Sequence, residues 1–334
     1  MLRMENRRNS AVDIFRFISS LMIFIIHVEP FPGNSFINFF VRKIICAVAV
    51  PFFFAISGYY FFRKLKIDGS VNCLKNSILR IVEPYLIWSI VYIVIDVYRK
   101  CIIENMLVLD FLLETLDNFF ISGSFYHLWF IPALVFATVV CYFIFIKNEK
   151  LLIPFSVFFI MLASASFAYY YVGVRIPIFG DILENNKLYI HFKSILCFAF
   201  PYFSLGYLIE KFDTKVSESK INGLFLVSII LYVCEGLFVY KFTLYKNSVN
   251  SLFLYFLIFT IVLKLLNSKI NINAKKFKIM SVFNYYSHAF FIFVIRMINP
   301  NISSVVLLFF VLIICNFTGY VIYKIDNKFL NRLV

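Results

Sequence analysis

The feature that constrains this chain most is the recurrence of apolar stretches about twenty residues long, the length a helix needs to cross a hydrocarbon core about 30 Å thick. Ten such stretches can be read, at about 12–30, 39–62, 81–99, 126–146, 151–171, 193–209, 222–240, 249–267, 279–298 and 302–323. Several polar breaks between them are short, such as Arg63-Lys64-Leu65-Lys66, Lys147-Asn148-Glu149-Lys150 and the stretch from Glu210 to Lys220. Backbone in lipid must satisfy its own hydrogen bonds, so runs of this length predict helices. The alternating ten-residue strands of a membrane barrel are absent from the sequence. Composition excludes the other classes. Apolar and aromatic residues make 62% of the 334 positions and charged residues 15%, against about 45–50% and about 25% in soluble domains. One soluble core could not hide that excess. The expected fold is all-α, a polytopic membrane protein of about ten transmembrane helices forming a single integral-membrane domain over 1–334.

The net charge of +14 reports topology in such a protein, and no basic block interleaved with solvent-facing aromatics suggests nucleic acid. With the N-terminus inside, 21 of the 32 basic residues face the cytoplasm, including Arg3, Arg7, Arg8, Lys215, Lys328 and Arg332. The bias predicts N-in and C-in, in the inner or plasma membrane. The first span is read as a retained helix: Arg16 interrupts its core, and His27-Val28-Glu29-Pro30 stands where a signal peptide would have a small-residue cleavage site. The seven cysteines are widely scattered, with no CxxC or Cys/His cluster, so neither a metal site nor a disulfide framework is expected.

Ionisable groups inside hydrocarbon cost about 2.5–3.5 kcal/mol each on insertion scales and need a reason. The first helix holds three: Asp13, Arg16 and His27. Asp13 and Arg16, three apart, can pair. Arg16 and His27 are eleven apart, about three full turns, so both point the same way with about 16 Å between them. That pattern suits a path through the protein. The plainer reading is that Arg16 snorkels to headgroups and His27 is a boundary residue. Arg80 and Glu83 precede Pro84-Tyr85, and His127-Leu128-Trp129-Phe130 opens the fourth span, where an aromatic belt alone accounts for the Trp. For Asp96, Glu235, His288 and Arg296 the structural reading, interfacial or paired, is preferred. Ser57-Gly58 reads as a small-residue notch between helices.

Together these motifs resemble acyltransferase family 3, the ten-helix membrane acyltransferases. Arg16-x10-His27 looks like that family's first-helix signature. The segments Val50 to Tyr59, Arg80 to Tyr85, Tyr126 to Phe130 and Pro201-Tyr202-Phe203-Ser204-Leu205-Gly206-Tyr207 are similar to its later motifs, in the same order. The tail from Tyr323 to Val334 looks like that of the branch which O-acetylates enterobacterial common antigen. One departure stands out. Many members carry a second histidine in a Ser-x6-His pattern, and seven residues after Ser287 stands Val294, with His288 and Arg296 out of register.

The resemblance implies transfer of an acyl group, commonly acetyl, from a cytoplasmic acetyl-CoA-type donor to a hydroxyl of an extracytoplasmic or lipid-linked glycan. The chemistry of the residues agrees. A sugar hydroxyl needs a base, and an imidazole suits that task near neutral pH. His27 is then the expected base. Arg16 holds the donor or the developing oxyanion, and Asp13 orients Arg16. Arg80, with Arg63 and Lys64, is expected to meet the donor's phosphates. Trp129 and His127 are expected on the acceptor side, with selectivity in the outer loops 103–125 and 171–192. Two other readings stay open: a transporter of a polysaccharide or a small amino acid, since an intramembrane Arg and His also suit a substrate path, and a non-enzymatic partner of envelope assembly.

Overall fold

The computed structural model describes residues 9–186, 192–213, 216–246 and 250–325, all helix, turn and loop, with no strand among them. Arg3, Arg7, Arg8, Lys215, Lys328, Arg332, most of the Tyr323–Val334 tail and part of the 171–192 loop lie outside the described residues.

The helices in chain order are α1 (Ser10–Val28), α2 (Ser35–Asp68), α3 (Val71–Ile103), α4 (Val108–Phe120), α5 (Phe130–Asn148), α6 (Leu152–Ser166), α7 (Pro177–Glu184), α8 (Phe192–Phe212), α9 (Glu218–Lys241), α10 (Leu252–Leu266), α11 (Lys275–Ile298) and α12 (Ser304–Ile325). Each of the ten expected stretches contains helix, with turns at 126–129 and 167–169 and with residue 249 outside the described residues. Eight helical stretches among the described residues are long and apolar enough to cross a membrane. The difference from ten has two sources. Phe130–Ser166 is one helical stretch in which a single 3₁₀ turn, Glu149–Leu151, separates α5 from α6, and α10 is a shorter apolar helix of 15 residues. The protein is a polytopic, all-helical membrane protein.

Close helix crossings explain the small residues. Gly58 of α2 faces Gly206 of α8. A Cβ on Gly58 would lie 2.0 Å from the Phe203 carbonyl oxygen, and one on Gly206 would lie 2.3 Å from the Tyr59 amide nitrogen. The expected notch at Ser57-Gly58 is therefore a backbone-to-backbone contact between helices, the use to which membrane proteins put glycine. Phe61, Phe62 and Phe203 pack around it in edge-on and tilted contacts.

Polar side chains bind the remaining helices, because in an apolar bundle an unpaired polar group is costly. Asn9 accepts from the Val12 amide at the start of α1 and donates to the carbonyls of Leu265 and Leu266 that end α10. Asn284 of α11 donates to Ser20 of α1 at 3.2 Å and to Asn316 of α12 at 3.1 Å. In the π turn at Ile195–Ala199 the Cys197 carbonyl accepts from Asn250 and Tyr255. Glu235 is buried and paired, as its sequence reading required. It accepts from the Tyr169 hydroxyl at 2.8 Å and from the amides of Leu252 and Phe253 at 3.2 and 2.9 Å, capping the N-terminus of α10 where a carboxylate is favoured.

Candidate active site

Two polar regions share helix α1. The first is a cavity of about 600 Å³ at the end of the bundle where α1 begins. Arg16, Lys64, Arg80 and Lys278 line it, with Glu83 as the carboxylate among them, and Phe53, Tyr60, Phe130 and Tyr285 form its apolar walls. Pro84 helps to open it. Proline has no N–H, so the Arg80 carbonyl loses its helical partner in α3, and Arg80, Ile81, Glu83 and Pro84 all face the space. Arg16 pairs with Asp13 at 3.2 Å, as expected from their spacing, and its guanidinium lies 5.4 Å from the Tyr60 ring centroid. Arg63, expected beside Lys64 at the donor phosphates, is placed elsewhere. It donates to the Tyr59 hydroxyl, which in turn donates to Asp213, and it does not line the cavity. Neighbours on a helix point about 100° apart, so Lys64 and Arg63 cannot serve one space equally.

The second region is a group of three imidazoles beyond the cavity's far end. His27 lies 5.2 Å, ring to ring, from His288, and His288 lies 4.8 Å from His127. Tyr126 closes on His27 at 5.1 Å, while Tyr92 and Phe125 flank His127. His288 is fully buried and His127 nearly so. The Nδ1 atom of His288 lies 3.0 and 2.8 Å from the carbonyl oxygens of Asn284 and Tyr285. Carbonyls only accept, so Nδ1 carries the proton and a neutral ring presents Nε2 as an acceptor. Among the described residues, no group lies in hydrogen-bond geometry with that Nε2, while the His127 ring lies against the Tyr286 backbone, to which it can donate. Buried polar atoms are otherwise paired in the great majority of cases.

Tyr285 separates the two regions. It lines the cavity, its ring lies 5.8 Å from His127, and its hydroxyl donates to the His127 carbonyl at 2.9 Å. Ile23, four residues before His27 and so on the same face of α1, also lines the cavity. Arg16 and His27 thus share a helix face, with Arg16 in the cavity wall and His27 one turn past its end. Trp129 turns the other way, packing against Phe54 and Phe198.

Tyr92 of α3 docks on α11 at this level. Its hydroxyl donates to the Tyr286 carbonyl at 2.5 Å and accepts from the Phe290 amide at 3.1 Å, so it ties α3 to the turn of α11 that carries His288. Sequence reasoning placed His288 among structural residues and did not single out Lys278 or Tyr285. The signal for His288 was the polar run Asn284, Ser287, His288 within an apolar span, where each polar group needs a reason.

The bundle thus carries a basic cavity on one side and buried imidazoles beyond it. The chain matches the acyltransferase domain of acyltransferase family 3 over residues 9–325, and it belongs to that family. It is 27% identical over 330 residues to an amino-acid racemase of Enterococcus faecalis, covering 94% of this chain and 45% of that protein. It is 26% identical over 277 residues to a serine/alanine racemase of Enterococcus gallinarum, covering 77% of this chain and 37% of that one. The chain therefore spans less than half the length of these curated relatives. No solved structure matches it.

Proposed function

We propose that this protein is an O-acyltransferase that takes an acyl group, most simply acetyl, from acyl-CoA in the basic cavity and passes it to a hydroxyl held at the three histidines. The acceptor is a glycan or lipid-linked saccharide on the far side of the membrane, with the N-terminus and the cavity mouth in the cytoplasm. The observation that carries the reading is the joint placement on α1 of Arg16, in a wall shared with Lys64, Arg80 and Lys278, and of His27 among buried imidazoles. Lys64, Arg80 and Lys278 meet the donor phosphates as charge-assisted donors. The rise along α1 from Arg16 to His27, about 16 Å, is what the donor's pantetheine arm has to bridge.

In the chemical step His27 takes the proton of the acceptor hydroxyl as the oxygen attacks the thioester carbonyl. The tetrahedral intermediate collapses, the carbon–sulfur bond breaks, and the thiolate takes the proton back from the imidazolium. The products are an ester and free coenzyme A. General-base catalysis of this kind contributes about 10²–10⁴-fold. The unpartnered Nε2 of His288 supports binding of a polar group beside His27, because it needs a hydrogen-bond partner that a hydroxyl-bearing acceptor supplies. The test is His27→Ala in purified protein with labelled acyl-CoA. Transfer should be lost while expression and membrane insertion stay native. Full activity in that variant removes the base assignment.

A second reading has its own support. Both relatives named above are racemases of amino acids. On this reading the domain handles a small amino acid, either moving it across the membrane or using its hydroxyl as the acyl acceptor. Proteoliposomes separate the two: uptake of labelled serine or alanine without consumption of acyl-CoA supports transport, and coenzyme A release without uptake supports transfer.

A further inference from the structure

We infer that Arg42 is a positioning residue for His27, because its guanidinium completes the end of α1 that Pro30 leaves open and so fixes the turn carrying the imidazole. The inference rests on the role of His27 proposed above.

A helix ends with its last carbonyls lacking intrahelical partners. In α1 the chain turns off at Glu29, whose φ of 54° is left-handed, and the Glu29 amide donates to the Ile25 carbonyl at 3.2 Å. The next residue is Pro30, which has no N–H to give. Arg42 supplies the missing donors. Its Nε lies 3.1 Å and its Nη2 2.8 Å from the Ile26 carbonyl oxygen. The same Nη2 pairs with the Glu29 carboxylate. One side chain therefore grips the backbone at residue 26 and the carboxylate at residue 29, on both sides of His27.

Local geometry aims Arg42 at this task. It lies in a π turn, Phe40–Ile45, within the long helix α2. The wider turn shifts the register of side chains along the helix, and such turns occur often at functional sites. An arginine near a membrane boundary ordinarily reaches for water or headgroups. Arg42 instead has a side chain only 12% exposed and spends its fork on one turn of α1. Glu29 also needs an anchor, because an L-residue rarely takes a left-handed conformation.

The experiment uses the full chain in lipid nanodiscs, comparing the native protein with Arg42→Met and Arg42→Lys. Hydrogen exchange of the segment 24–32 reads the clamp directly, and exchange across the Gly58–Gly206 crossing reports whether the bundle is intact. Steady-state kinetics with acyl-CoA read the consequence. In Arg42→Met, exchange in 24–32 should rise while the crossing stays protected. The kcat should fall on the order of tenfold or more, as misplacement of a base predicts, with the donor KM held because the cavity is untouched. Arg42→Lys should fall between, since an ammonium lacks the planar fork, and it carries the test alone if Arg42→Met is not recovered folded. Native protection of 24–32 in the variants overturns the clamp. Lost protection with unchanged kcat overturns the positioning role. If the native protein transfers no acyl group, the reading of His27 as a base fails, and the exchange result still decides whether Arg42 holds the turn.

Discussion

Gly58→Ala is the sharpest test of how the bundle is held. The new Cβ would lie 2.0 Å from the Phe203 carbonyl oxygen, 2.9 Å from its carbonyl carbon and 3.2 Å from its Cα. Ordinary contact begins at 3.4 Å, so α2 and α8 must part by about 1.4 Å. All three atoms are main chain, and no rotamer change relieves them. Overpacking of this kind costs about 1–3 kcal/mol, and rigid backbone on both sides puts this case at about 3. Alanine's better helix propensity returns up to about 1 kcal/mol. The control is Gly223→Ala on α9, where an added Cβ meets nothing within 4 Å, so only the propensity gain applies. The two variants should therefore differ by about 3 kcal/mol, more than a hundredfold in the folded-to-unfolded ratio. Thermal unfolding in one detergent, followed by size-exclusion of the surviving monodisperse fraction, reads the difference. Equal unfolding temperatures for the two variants would refute the close crossing and the helix arrangement built on it.

Further outcomes follow from the site and its supports. Arg80→Ala should raise the donor KM with kcat largely kept, because Arg80 lines the cavity and makes no contact with the histidines; an unchanged KM leaves it a membrane anchor. Arg16→Lys should impair transfer severely, since a point charge replaces the planar fork that pairs with Asp13; near-normal turnover would favour plain snorkelling. Glu235→Leu takes the acceptor from one hydroxyl and two amides, at about 1–3 kcal/mol for each group left unpaired. It should lower the unfolding temperature well below that of Glu235→Gln, which keeps an acceptor oxygen, and similar values for the two would refute the capping role. Tyr92→Phe removes the hydroxyl that ties α3 to Tyr286 and Phe290 on either side of His288, and should lower kcat with little change in unfolding temperature; native kcat would show that this tie is catalytically idle.

The sequence by itself determined the helices, the membrane as their solvent, the pairing of Asp13 with Arg16 and the shared face of Arg16 and His27. These are local quantities: hydropathy over twenty residues sets a span, and 3.6 residues per turn sets a face. The same arithmetic cannot say which faces of different helices meet. It left Arg63 and Lys64 equivalent, though one is drawn to Tyr59 and the other lines the cavity. It sought a second histidine at Val294 by counting from Ser287, while the tertiary structure supplies His288, out of register, on a helix tied to α3 by the Tyr92 hydroxyl. It put Trp129 on the same side as His127, but residues two apart in a turn point different ways, and the indole belongs to the packing around Phe54 and Phe198. The meeting of His27, His127 and His288 joins α1, the turn before α5, and α11, residues up to 261 positions apart in sequence. Only packed helices can hold such groups together, because no interaction short of the assembled bundle offsets the entropy of bringing distant segments into one small space.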